Sequence, residues 1–148
     1  MEMARQEKER GVTLLRAKRY EESCYSFQKA LALLNSEEFD QIAVTRLQIN
    51  LAMSHIALGQ TVAAMAWLNR AIPKAQKALL IKALFQRGKL LSGLQRHAEA
   101  EEDFVRAISL STERVDKRAI VFELEKVQAQ LKTAERAMCM RMFEIEPT

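Results

Sequence analysis

An all-α fold of stacked antiparallel helix pairs is what the sequence predicts, on three observations. The first is punctuation: 148 residues contain only 4 Gly and 2 Pro. That is too few for a protein of hairpins and tight turns, while strong helix formers such as Ala, Leu, Glu, Lys, Arg and Gln fill the chain. The second is a repeat of side-chain size. Counting from Gly11, Ala52 and Gly88, a small residue follows twelve positions later (Ser23, Ala64, Ala100), a bulky apolar one sixteen later (Phe27, Leu68, Phe104) and Ala nineteen later (Ala30, Ala71, Ala107). The third is the last stretch, Glu113 to Phe143, which has no Gly or Pro and places Ile120, Leu124, Val127, Leu131, Ala134 and Met138 on one helical stripe.

Each unit reads as two helices whose small residues permit close approach while large ones fill the seam. In the first, the pattern predicts a front helix from about Met3 to Lys18 and a back helix from Tyr20 to Leu34. In the second, the helices run from Glu38 to Leu58 and from Thr61 to Ile72, with the turn at Gly59-Gln60. The third has Lys77 to Ser92 and His97 to Leu110, with Gly93 near its turn. The repeats thus span about 3–35, 38–73 and 77–110 within a region 1–110, followed by a capping and extension helix in 111–148. Successive series are 41 and then 36 residues apart, against about 34 for a minimal helix-pair repeat. The extra residues of the first step are expected to extend the second front helix at its N-terminal end, and Pro73 must end or kink the helix it meets. Ser111 or Thr112 is the expected N-cap of the final helix. That helix would be about 45 Å long, its first half covering the last unit and its second half, with Met138, Met142 and Phe143, projecting as a partner contact.

Composition narrows the function class. No window approaches eighteen uncharged apolar residues and the N-terminus MEMARQEKER is charged, so neither a membrane span nor a signal peptide is expected. Cys24 and Cys139 lack metal or disulfide spacing and read as reduced, cytoplasmic thiols. The net charge of +4 is mild, and seven basic residues balance seven acidic ones between Glu113 and Thr148, so charge gives no reason to expect a nucleic-acid partner. His55 and His97 stand without partners at metal spacing, and no nucleophile triad, phosphate loop or HExxH motif occurs. No enzyme, metal site or cofactor is expected, and Met65 and Trp67 read as core packing.

The repeat pattern resembles tetratricopeptide repeat (TPR) proteins, which implies a right-handed TPR solenoid of three antiparallel helix pairs plus a long C-terminal capping helix. The segments KERGVTLLRAKRY around Lys8, LQINLAMSHIALG around Asn50 and KALFQRGKLLSGL from Lys82 are similar to the front helices of large FKBP-type immunophilins, and the C-terminal MRMF resembles the end of that family's last helix. The resemblance implies an isomerase domain upstream of Met1. It also implies a carboxylate clamp holding the acidic C-terminal tail of heat-shock protein 90 or 70, in which charged and amide donors bind terminal and side-chain carboxylates. Lys8 matches the first clamp lysine, Asn50 the middle asparagine and Lys82 the lysine of the third front helix. Two positions depart from the pattern. Val12 stands where many clamps have a second asparagine, and Gln86 replaces the clamp arginine, keeping a donor but losing the charge and the fork. Arg87 points about 100° away from Gln86 on a helix, and Lys89 reads as a rim residue with Val12. The alternative implied by the weakened clamp is a scaffold that holds a client or self-associates through the Met-rich last helix; MRMF is reminiscent of a divergent, Shutdown-like germline branch that serves small-RNA (piRNA) pathways.

Overall fold

The computed structural model describes residues 2–35, 40–112 and 114–143. Among them are seven α-helices and no strand: α1 (Glu2–Arg16), α2 (Tyr20–Asn35), α3 (Gln41–Ala57), α4 (Thr61–Ala71), α5 (Lys77–Gly93), α6 (His97–Leu110) and α7 (Arg114–Met142). Contacts divide the chain into two compact units, Met1–Ala83 and Leu84–Thr148, and the division falls inside α5.

In the first unit α1 packs on α2, α2 on α3 and α3 on α4. Its core is built from Phe27, Ala30, Leu31, Leu34, Val44, Leu47 and Leu51, and fully burying a side chain such as Phe27 stabilises by about 2–3 kcal/mol. Gly11 permits this: a Cβ there would lie 2.6 Å from the Phe27 ring, closer than two carbons can approach, so only hydrogen fits between α1 and α2. The hydroxyls of Ser23 and Ser54, both buried, pair at 2.8 Å between α2 and α3.

The second unit repeats the device. A Cβ on Gly88 would stand 2.5 Å from Phe104, which is fully buried and also meets Phe85 with ring centroids 6.0 Å apart. α7 packs on α6, with Ile120 and Val127 buried. Among the described residues beyond Val127 only Leu131 and Met140 are even half-covered, so the predicted stripe is a contact surface in its first half and solvent-facing in its second.

The three helix-pair turns share one hydrogen-bond pattern. Arg19 N–H donates to the Leu14 carbonyl at 2.9 Å and Lys18 N–H to Leu15 at 3.1 Å; Gln60 and Gly59 do the same to His55 and Ile56, as do Arg96 and Gln95 to Leu91 and Ser92. This Schellman closure requires a left-handed residue after the helix, supplied by Lys18 (φ 62°), Gly59 (φ 73°) and Gln95 (φ 65°). The third turn therefore pivots on Gln95 rather than at Gly93, which is the last residue of α5.

Other local expectations shift as well. α3 begins at Gln41, three residues later than predicted, because Asp40 caps it: one carboxylate oxygen accepts from the N–H groups of Ile42 at 3.1 Å and Ala43 at 3.3 Å. The extra residues of the first step thus fall largely on 36–39, outside the described residues. Pro73 ends α4 as expected, and Ile72–Lys74 continues as a single 3-10 turn. Ser111 ends α6 instead of starting α7, its N–H donating to Ala107 and Ile108. α7 starts at Arg114, and Glu113 before it lies outside the described residues.

Candidate functional site

Three of the four residues assigned to the clamp lie in the first unit. Lys8 is half-buried on α1, Asn50 is half-buried on α3 and Lys82 is exposed on the first part of α5. Helix periodicity sets Lys8 and Val12 on one face of α1, where Val12 packs against the core. Asn50 is held in register by its backbone, whose carbonyl accepts from the Ser54 hydroxyl at 3.3 Å. Neither lysine is ion-paired with a carboxylate among the described residues, so both charges remain available to a ligand.

Lys8 borders a cavity of about 340 Å³ floored by Ala4, Leu34, Ala43 and Leu47, with Glu2, Arg5 and Asp40 also in its wall. Asn50 and Lys82 are not in that wall. The cavity can accept a small apolar side chain beside a cation.

In the second unit Gln86 is half-buried on α5 and Lys89 is exposed, its ammonium 4.7 Å from the Phe85 ring centroid. Arg87 is committed elsewhere. Its guanidinium grips Asp103 on α6 with two bonds, Nε to Oδ2 at 2.7 Å and Nη2 to Oδ1 at 2.8 Å, and the hydrogen bond to Asp103 raises its pKa further above the ordinary arginine value. A side chain held in this fork does not replace the missing clamp arginine.

The remaining singled-out residues separate by exposure. Trp67 is half-buried against the first unit's core, with the Arg70 guanidinium 4.9 Å from its ring. His55 and His97 bond glutamine side chains at the turns, Gln60 at 2.7 Å and Gln95 at 3.1 Å. Cys24 is buried, and desolvation pushes its thiol pKa up against the lowering effect of a Ser54 hydrogen bond; Cys139 is exposed and both thiols are free. Met138, Met142 and Phe143 are 60%, 71% and 72% exposed on the far end of α7. Among the described residues no cluster of His, Cys, Asp or Glu could hold a metal, and no helix is long and apolar enough to cross a membrane.

One signal escaped the sequence reading. Between Gln41 and Ala98 the chain carries eight basic residues and no Asp or Glu. The mild overall charge hides this segregation, which a windowed charge count would have revealed.

Comparison with known proteins fixes the fold. Residues 81–114 match the tetratricopeptide repeat family. No curated protein matches the chain in sequence. Among solved structures, the first TPR domain of Spaghetti (RPAP3) bound to the HSP90 peptide SRMEEVD aligns with TM-score 0.72 at 22% identity, covering 88% of this chain and 94% of that one. The C-terminal TPR-containing domain of a Plasmodium falciparum protein described as FK506-binding gives 0.72 at 22% identity, with 91% and 92% covered. The second TPR domain of human RPAP3, in complex with the HSP70 peptide SGPTIEEVD, gives 0.68 at 23%, with 85% and 95% covered. The chain therefore has the all-α TPR fold.

Proposed function

We propose that the chain is a peptide-binding co-chaperone module of an immunophilin-like cytoplasmic protein, holding the acidic C-terminal tail of heat-shock protein 90 or 70. The observation that carries this reading is the set of unpaired donors on successive front helices, Lys8 on α1, Asn50 on α3 and Lys82 on α5. Lys8 and Lys82 bind carboxylates and Asn50 holds the terminal backbone, while the apolar cavity beside Lys8 takes a Val or Met side chain of the tail. The chaperone peptides bound by two proteins of the same fold support the choice of ligand. Gln86 in place of the clamp arginine removes one charge-assisted hydrogen bond, worth about 1.5–3 kcal/mol, so affinity falls about tenfold to a hundredfold below that of a full clamp.

Calorimetric titration with a peptide ending in Met-Glu-Glu-Val-Asp tests this. Binding in the micromolar range, lost on amidating the peptide C-terminus and in Lys82→Glu, is expected. Equal affinity for the free-acid and amidated peptides would sink the clamp. The exposed Met138, Met142 and Phe143 favour a second reading, a scaffold that binds a client or a second copy through α7, as in a germline small-RNA pathway; it gains if the peptide gives no heat and the chain self-associates.

A further inference from the structure

The acid-free stretch has a structural focus in the first unit. Between α3 and the start of α5 lies a cavity of about 490 Å³. Arg46 on α3, Lys74 from the 3-10 turn and Lys77 at the head of α5 supply its charge, Gln41, Thr45 and Gln76 its neutral donors. Among the described residues no acidic and no aromatic one is in its wall. Arg46, Lys74 and Lys77 are all exposed, and none forms an ion pair with a carboxylate among the described residues. Three like charges gathered with no counter-charge among the described residues repel one another, a cost that an anionic ligand relieves.

The helices say where this cavity stands relative to the clamp residues of the same unit. Arg46 precedes Asn50 by four residues on α3 and Ala78 precedes Lys82 by four on α5, so on each helix the cavity shares the face of the clamp residue, one turn nearer the N-terminus. One turn is about 5.4 Å, a distance that an extended peptide covers in about two residues.

We infer that the Arg46–Lys74–Lys77 cavity is a second anion-binding site, which takes the side-chain carboxylates of an acidic segment adjoining the peptide end held by Asn50 and Lys82. This rests on the clamp reading and deepens it: the preferred partner is a tail whose acidic pair stands two and three residues before its terminal residue. Charge complementarity selects an acidic occupant, and the wall of aliphatic and amide groups selects a peptide over nucleic acid, since it gives a base no aromatic platform to stack on.

The test compares the wild-type chain with Arg46→Gln/Lys74→Gln/Lys77→Gln, whose substitutions are all at exposed positions, with circular dichroism confirming equal helicity. Each is titrated at low salt with Ser-Met-Gln-Gln-Val-Asp, with Ser-Met-Glu-Glu-Val-Asp and with amidated hexaglutamate. The glutamates are expected to tighten wild-type binding about fivefold to tenfold over the glutamine peptide and the triple variant's less than twofold, leaving the glutamine peptide equal in both; a rise to 0.5 M salt removes the gain. The same gain in both proteins overturns the site. If neither Val-Asp peptide binds, the clamp reading fails and amidated hexaglutamate decides the cavity alone: weaker binding by the triple variant supports it, equal binding overturns it. An oligothymidylate that binds the wild-type chain more tightly than hexaglutamate, and loses that in the triple variant, overturns the peptide assignment in favour of nucleic acid.

Discussion

The two compact units bury the same pair, a glycine under a phenylalanine, and flank it with different chemistry. In the first, Gly11 lies beneath Phe27, the residue before Phe27 is the buried Ser26 and the residue before Gly11 is the exposed Arg10. In the second, Gly88 lies beneath Phe104 and the residues before them, Arg87 and Asp103, form a bidentate ion pair. The middle repeat, which belongs to the first unit, has Ala52 and Leu68 at the paired positions, with Leu51 and Trp67 before them. Volume is conserved across all three: where the large residue loses its ring, the small one gains a methyl. The flank is free to be hydroxyl, ionic or apolar provided that every polar group there finds water or a partner.

If volume is the invariant, breaking it gives the largest effect. Phe104→Ala is expected to cost about 3–5 kcal/mol through lost burial and the cavity left behind, read by urea denaturation monitored at 222 nm. Gly88→Ala alone costs about 1–3 kcal/mol by overpacking. Combining Gly88→Ala with Phe104→Leu recreates the middle repeat's pair and is expected to be more stable than the sum of the two single changes predicts. Strict additivity would show that the glycine and the ring are not coupled.

The flank gives the next effect. Asp103 is buried and the Arg87 side chain is 24% exposed, so Asp103→Ala leaves a cation short of its strongest partner and is expected to cost about 2–3 kcal/mol. Replacing both, Arg87→Leu/Asp103→Leu, imitates the apolar flank of the middle repeat and should recover most of that loss. A double variant as unstable as Asp103→Ala would mean that the pair is specific to its site rather than one of several interchangeable solutions.

These pairs also show what a sequence can disclose. The offsets of twelve, sixteen and nineteen residues exposed the seam within each helix pair because steric volume leaves a direct mark on residue identity: little but Gly or Ala fits beneath those large side chains. Charge leaves a weaker mark. Arg87 and Asp103 are sixteen residues apart, a separation that means nothing until α5 and α6 fold back on one another, and Arg46, Lys74 and Lys77 are drawn from three segments. Lys8, Asn50 and Lys82 were legible only through resemblance, since a lone polar residue on a helix face carries no pattern of its own. Backbone conformation was the least legible, because two of the three left-handed turn residues are Lys18 and Gln95, which look like ordinary helix formers.

That last point gives the smallest and sharpest test of how alike the repeats are. A residue other than Gly in the left-handed region costs about 1–2 kcal/mol relative to its right-handed form, whereas Gly adopts it without steric penalty. Gly59 has φ 73°, and no heavy atom lies within 4 Å of the place a Cβ would take, so Gly59→Ala suffers the backbone strain alone and is expected to destabilise by about 1 kcal/mol. Gln95→Gly should do the reverse in the third turn, offset in part by the lost hydrogen bond between the Gln95 side chain and His97 at 3.1 Å and by the extra freedom of glycine in the unfolded chain. The net gain expected is about 0.5 kcal/mol, a rise of about a degree or two in Tm. If instead Gln95→Gly lowers Tm as much as Gly59→Ala does, the turns are not equivalent, and the glutamine is held there by its side chain rather than tolerated despite its backbone.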